Sequence, residues 1–466
     1  MLSPVRKRRP SGLGHWSFMF AEVAIWSFVV LVVTGVFLMV FFDPDMSPVL
    51  YQGAYTPLNG VPVSRAYDSA MRLSLEVRGG LFVRQVHHWS ALVFVAAVAL
   101  QLLRMFVTAA FRRPRVPQWL IWVTLLPLGM VAGETGNVLP DDMLSGGSLW
   151  LIESVLLAIP FVGSYAAQLL FGAQFPGDSV IPTLYWAHVL VVPAVIAVLI
   201  AAREWMVRRN GHSRFAASVP VRAGVRPLMA GATIGVLVIL GLAFQIAPIW
   251  LYGPAGPGHV SAGSVPDWYM GFLDGALRIM PGWELTLGGY TLSLAVLVPT
   301  LVVPGVFFTV LAGYPMAERL VLARLARRDA LGRPKSRSRM AAERTVPAVL
   351  DRPRDAPVRT ALTAAGVTFY GLLWAAAAND QLAHQFHLSV EAVTIFFRYA
   401  VLVGPVVAMW LTYRLCLGLR LQDRHLREHG PESGVIVRGA DGGFHERPMP
   451  PLDDREPQPA VAGPRD

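Results

Sequence analysis

Two histidines in apolar surroundings carry the first chemical signal of this sequence. His87 opens the run HHWSALVFVAAVALQLLR (87–104), and His188 lies in LYWAHVLVVP. Polar side chains inside a membrane-length apolar run are costly and mark function. Two further apolar runs carry glycines, Gly35 in VTGVF and Gly136 in ETGNVLP, at the same depth when the runs are laid side by side. Two imidazoles can grip an iron from opposite faces, and positions without a side chain let a porphyrin approach the backbone. The layer therefore reads as a bis-histidine haem site, with Arg84, one turn from His87, placed to meet a propionate. A plainer reading makes each histidine an isolated hydrogen-bonding residue of a helix bundle. It leaves the matching of two histidines with two glycines unexplained. Between the neighbours His87 and His88 spacing alone does not choose, since one helical step turns by only about 100°.

The elements that must position these residues are membrane spans. Of 466 residues, 54% are hydrophobic and 15% charged, which is too apolar for a soluble domain. The single cysteine, Cys416, excludes a disulfide scaffold, a CxxC zinc site and a covalently attached haem. The net charge of +10 sits in clusters between apolar runs, where the positive-inside rule accounts for it without nucleic acid. A span needs about 20 apolar residues. Eight are read, at 17–42, 82–107, 117–139, 181–206, 226–249, 290–312, 362–379 and 393–416. The expected fold class is an all-α integral membrane protein: an N-terminal four-helix haem-binding bundle followed by four further transmembrane helices.

VRKRRP, FRRPR, REWMVRRNGHSR and ARLARRDALGRPKSRSR all fall on one side. That side is expected to be cytoplasmic and to hold both termini of a multi-pass plasma-membrane protein. No cleavage pattern of a signal peptide follows VRKRRP. The expected divisions are a cytoplasmic N-terminus (1–16), the haem-binding bundle (17–220), a C-terminal region (221–421) and a polar cytoplasmic tail (422–466). The C-terminal region includes an outer loop at 250–289 and a cytoplasmic loop at 313–361. Residues 149–170, interrupted by Pro160 and Gly163, read as two short helices on the outer surface. No fixed-period repeat is evident.

The stretches FVVLVVTGVFLMVFFDP, EVRGGLFVRQVHHW, FRRPR, LPDDMLSG, QIAPIW, SAGSVPDWY and LDRPRD resemble cytochrome b of the quinol–cytochrome c reductase (cytochrome bc) complex, particularly its actinobacterial type. The resemblance spans nearly the whole chain. It implies eight transmembrane helices, of which the first four hold two b haems, one near each membrane face. It implies a Rieske iron–sulfur subunit and a cytochrome c subunit as partners, menaquinol or ubiquinol as substrate, and a dimer. His87, rather than His88, and His188 match the ligands of the outer, low-potential haem. Gly35 and Gly136 match its packing glycines, and Arg84 matches a propionate-binding arginine. Pro266-Asp267-Trp268-Tyr269 matches the family's Pro-Glu-Trp-Tyr motif for outer quinol oxidation, with Asp in place of Glu.

Beyond that Asp, the sequence departs from the family in one layer. A second haem layer should lie about 14 residues further inward on each helix, an offset that rises about 21 Å and returns to nearly the same helix face. From His87 that step reaches Gln101, and from His188 it reaches Ala202 or Arg203. From Gly35 it reaches Ala21, and from Gly136, Trp122. Arginine has no lone pair for iron, and an indole fills space that a porphyrin would need. The chain reads as a divergent paralogue with one haem, its inner high-potential site lost. Near that face Gln101 and Arg203 can also snorkel to water, while His15 and His212 read as surface histidines.

Quinol oxidation needs a proton acceptor beside a one-electron sink. Asp267 is the expected acceptor if burial raises its pKa. Tyr269 offers a hydroxyl, Pro266 fixes the turn, and Asp274 is a second candidate proton carrier. With one haem, no complete Q-cycle is expected. The alternative is a non-catalytic scaffold or regulatory paralogue that docks Rieske or cytochrome c subunits.

Overall fold

A computed structural model describes residues 19–172, 175–210, 224–256, 266–330, 350–430, 434–438 and 442–446. His15, His212 and residues 257–265 of the expected outer loop lie outside the described residues.

The spans begin with α1 (Phe20–Phe41), which runs through FVVLVVTGVF. Its valines favour strands in water, but in lipid every backbone group must be satisfied within the segment, so a helix forms. It buries the small residues Ala21, Ala24 and Ser27, which let a neighbouring helix approach closely. A hairpin of Pro48–Leu50 with Pro62–Ser64 leads into α2 (Arg65–Leu75), capped by the Ser64 hydroxyl, which accepts from the Tyr67 N–H at 3.1 Å. The spans α3 (Gly80–Val107) and α4 (Val116–Asn137) follow. Then come two shorter helices, α5 (Met143–Leu157) and α6 (Gly163–Phe171), broken at the expected proline and glycine.

The fourth span, α7 (Val180–Arg209), widens to a π turn over Ala187–Val191, the turn that carries His188. Pro193 lacks the N–H that would close the α-helical bond to Val189, and the ladder adjusts locally. Besides a single turn at Ile249–Tyr252, the remaining α-helices are α8 (Val225–Ala243), α9 (Gly271–Ile279), α10 (Leu294–Arg324), α11 (Pro357–Ala376), α12 (Asn379–Gln385) and α13 (Val390–His429). Among the described residues seven helices are long and apolar enough to cross a membrane, or eight when α11 and α12, bent by 68°, count as one span. The boundary expected at 421/422 falls inside α13, which continues to His429.

Two sets of contacts tie the halves of the chain together. On α3, Gln85 donates to the Ile246 carbonyl at 3.0 Å and accepts from the Ile246 N–H at 2.7 Å. Arg84 and Trp89 donate to the carbonyls of Ala247 and Phe244. Side chains of α3 thus satisfy the backbone groups left open beyond the end of α8. At the opposite end of the bundle, the buried Arg359 of α11 pairs with Glu318 at 2.9 Å and Asp351 at 2.7 Å. Arg112 pairs with the same two acids.

Candidate functional site

α3 and α7 bring His87 and His188 together, with ring centroids 6.2 Å apart and planes at 65°. Two metal–imidazole bonds of about 2.0–2.1 Å, plus the ring radii, separate the centroids of two coordinating rings by about 6.3 Å. The pair therefore fits a shared iron. Each ring is tied to the helix that carries its glycine. His188 Nδ1 donates to the Ala132 carbonyl at 2.9 Å and lies 3.3 Å from Thr135 Oγ1. His87 Nδ1 lies 2.9 Å from Thr34 Oγ1, with the Leu31 carbonyl as its backbone acceptor. Engaging Nδ1 fixes the tautomer and leaves Nε2 with the lone pair a metal needs.

The glycines serve the rings directly, a closer role than the porphyrin approach expected of them. A Cβ at Gly136 would lie 2.5 Å from His188 Cε1, and one at Gly35 would lie 3.2 Å from His87 Cε1. Arg84 donates through Nη2 to Ala247, while its buried Nη1 has no hydrogen-bond partner among the described residues. An orphaned cationic donor of this kind suits a haem propionate.

His88 belongs to a different cluster. Its Nε2 lies 3.0 and 3.2 Å from the two oxygens of Asp267. Asp267 Oδ2 also accepts from Tyr269 Oη at 3.0 Å and from Asn137 Nδ2 at 3.2 Å. Instead of standing alone as a desolvated base, Asp267 is held by three neighbours. Burial, with the Asp267 and Glu134 carboxylates nearby, pushes the Tyr269 phenol above its ordinary pKa and keeps it a donor. A Cβ at Gly133 would overlap the Tyr269 hydroxyl, so this glycine seats the tyrosine against α4.

Pro266 opens the motif, and Asp267 immediately precedes the short turn Trp268–Met270. Asp274 is not part of the cluster: it pairs with Arg278 at 3.1 Å, which also pairs with Asp380. Beside the start of α2, Asp141 accepts from the Ser64 hydroxyl at 2.5 Å. Burial pushes the Asp141 carboxyl up to about 6, the Ser64 bond opposing it and Asp142 adding to it.

The opposite end of the bundle has another character. Ala21, Gln101, Trp122 and Arg203 are all buried there. The Arg203 guanidinium lies 5.6 Å above the centre of the Trp122 ring, a cation–π contact. Arg203 also pairs with Glu204. Glu204 in turn pairs with Arg226, which reaches Glu22 on α1. Ala21, Ala24, Phe94, Val98, Leu102 and Trp122 form one continuous apolar core.

Sequence reasoning missed Thr34 and Thr135, whose signal was available: the same 53-residue separation joins Thr34 to His87 and Thr135 to His188. It also missed Asn137 and the pairing of His88 with Asp267 across 179 residues, for which no local signal exists.

A bundle of membrane spans with a bis-histidine layer beside a cluster of acidic and phenolic groups is the architecture of a membrane electron-transport subunit. Residues 92–254 match the family described as Cytochrome b(N-terminal)/b6/petB. The cytochrome bc1 complex cytochrome b subunit of Corynebacterium diphtheriae is 43% identical over 94% of this chain and 80% of that protein. Those of Mycobacterium leprae and Streptomyces coelicolor are 42% and 41% identical over 94% and 93% of this chain and 79% and 78% of theirs. A chain of the solved hyperthermophilic respiratory complex III shares the fold, with a TM-score of 0.59 at 17% identity, covering 88% of this chain and 95% of that one. The chain belongs to the cytochrome b subunits of the cytochrome bc1 complex. That complex is a quinol–cytochrome c oxidoreductase of respiratory electron transport in the bacterial plasma membrane, and haem b is the family's cofactor.

Proposed function

We propose that this subunit oxidises menaquinol or ubiquinol at the outer membrane face, holds a single b haem between His87 and His188, and runs no complete Q-cycle. The observation that carries the reading is the contrast between the two ends of the bundle. At one, two imidazoles stand 6.2 Å apart with side-chain-free glycines behind them. At the other, the positions expected to hold a second haem are occupied by Trp122 under Arg203, with Ala21 packed into the core. The residues of the first layer fit a haem and those of the second do not. Four departures in one layer point to loss of a cofactor, since a single exchanged ligand would leave the glycine positions intact.

Bound between the histidines, haem supplies a one-electron acceptor within the membrane. The chain's own residues handle the proton. Asp267 accepts it from a quinol hydroxyl, and the three groups around the carboxylate fix its direction. Tyr269 donates to Asp267 throughout, and Pro266 sets the turn that presents both. In this reading both termini are cytoplasmic, and a Rieske iron–sulfur subunit and a cytochrome c subunit are the partners at the outer face, within a dimeric complex.

The test is haem b per polypeptide in the purified protein, together with a redox titration. One haem with one potential, lost in His87→Ala and in His188→Ala, is the expected result. Two haems would overturn the single-haem reading, and none would leave only a docking scaffold.

A further inference from the structure

The quinol cluster borders a second acid that the mechanism above does not use. Glu134 lies on α4 between Gly133, which seats the Tyr269 hydroxyl, and Asn137, which donates to Asp267. Glu134 and Asn137 are three residues apart and share a helix face. The charged and titratable groups in electrostatic reach of Glu134 are Asp267 and Tyr269 from the motif, with His88 of α3 against both oxygens of Asp267. From α5, Ser148 hydrogen-bonds the Glu134 carboxyl. Its Oε2 is buried and has no hydrogen-bond partner among the described residues. An ionisable side chain in a membrane span with an unused oxygen is costly, and an apolar residue would pack there without that cost.

We propose that Glu134 is a proton-relay residue that takes from Asp267 the proton Asp267 has taken from quinol. The inference rests on the quinol-oxidation reading. In the first step the quinol O–H bond breaks and an O–H bond forms on Asp267. The second quinol hydroxyl gives its proton to water at the outer face, and the two electrons depart singly to the complex's iron–sulfur and haem acceptors. In the second step the Asp267 O–H bond breaks and an O–H bond forms on Glu134 Oε2, which returns Asp267 to its carboxylate for the next turnover. Onward transfer then follows α4 toward Ser148 and α5.

The experiment compares the intact wild-type complex with Glu134→Gln and Asp267→Asn in stopped-flow and steady-state oxidation of a soluble quinol, with haem content measured on each. A relay residue acts after the first proton has moved. Glu134→Gln should therefore keep the first-turnover burst and an unchanged KM while kcat falls about 10- to 100-fold, and Glu134→Asp should recover part of it. Asp267→Asn should lose burst and steady state together. A Glu134→Gln protein indistinguishable from wild type in both phases overturns the relay, and so does one that loses the burst. A haem-loaded wild type that oxidises no quinol overturns the underlying site reading instead. Should Glu134→Gln fail to assemble, redox-induced infrared spectra of the unmodified complex with isotope-labelled glutamate serve as the second measurement. A carboxylic C=O band that shifts on labelling supports the relay, and its absence refutes it.

Discussion

Gly136→Ala isolates the glycine's service to the histidine, because the three atoms nearest the new methyl all belong to one imidazole. At Gly136 the Cβ would lie 2.5 Å from His188 Cε1 and 3.1 Å from both ring nitrogens. Relief requires the ring to move by roughly 1 Å, and overpacking of this size costs about 1–3 kcal/mol. The ring cannot swing freely, since Nδ1 is held by Ala132 and Thr135. At about 1.4 kcal/mol per factor of ten, haem retention should weaken by roughly 5- to 150-fold. Gly35→Ala is the internal control: its Cβ would sit 3.2 Å from His87 Cε1, and a shift of a few tenths of an ångström absorbs it at less than about 1 kcal/mol. The assay is haem b per polypeptide after detergent extraction, with the reduced-minus-oxidised spectrum as a check on ligation. Full haem content with an unshifted potential in Gly136→Ala would refute the account, as would a larger loss in Gly35→Ala.

Three further outcomes follow from particular contacts. Gln101→His with Arg203→His should not recruit a second haem while Trp122 remains, whereas adding Trp122→Gly should open the space; haem stoichiometry distinguishes the cases. Asp141 has a raised folded-state pKa, so its ionisation opposes folding at pH above about 6, and the penalty disappears as the pH falls through 6 toward 4. Asp141→Asn, which keeps an acceptor for Ser64, should therefore raise the thermal midpoint at pH 7.5, by something on the order of 1–3 kcal/mol of stability, and change it little near pH 4. Arg359→Ala leaves Glu318 and Asp351 without their most buried partner and should cost about 3–5 kcal/mol, read as a lower unfolding temperature in detergent.

The spans were legible because lipid demands length and apolarity of each segment by itself, and both are local properties of sequence. The ends were less so. α13 continues through LGLRLQDRHLREH to His429, where polar residues on a helix leaving the membrane look like a tail. The histidine–glycine layer was legible from depth alone, since straight helices of known direction turn sequence position into height. Thr34 and Thr135 were overlooked because threonine in an apolar helix ordinarily bonds its own backbone. Both do so here, to Val30 and Val131, while also facing the rings. Asp274 was misplaced for the opposite reason: its neighbour Arg278, one turn on, captures it locally. The assembly around Asp267 depends on how α3, α4 and the motif turn meet, and no periodicity encodes that.

His87 and His88 are consecutive residues, yet one faces His188 across the proposed haem site and the other holds Asp267. A single peptide unit thus joins the two clusters. Anything that settles against Asp267 and draws on His88 also tugs the backbone that carries the proposed haem ligand. With haem held as proposed, its visible absorption becomes a built-in gauge of the neighbouring Asp267 cluster. Titrating quinol analogues while following the haem band would give their dissociation constants without a label and without turnover.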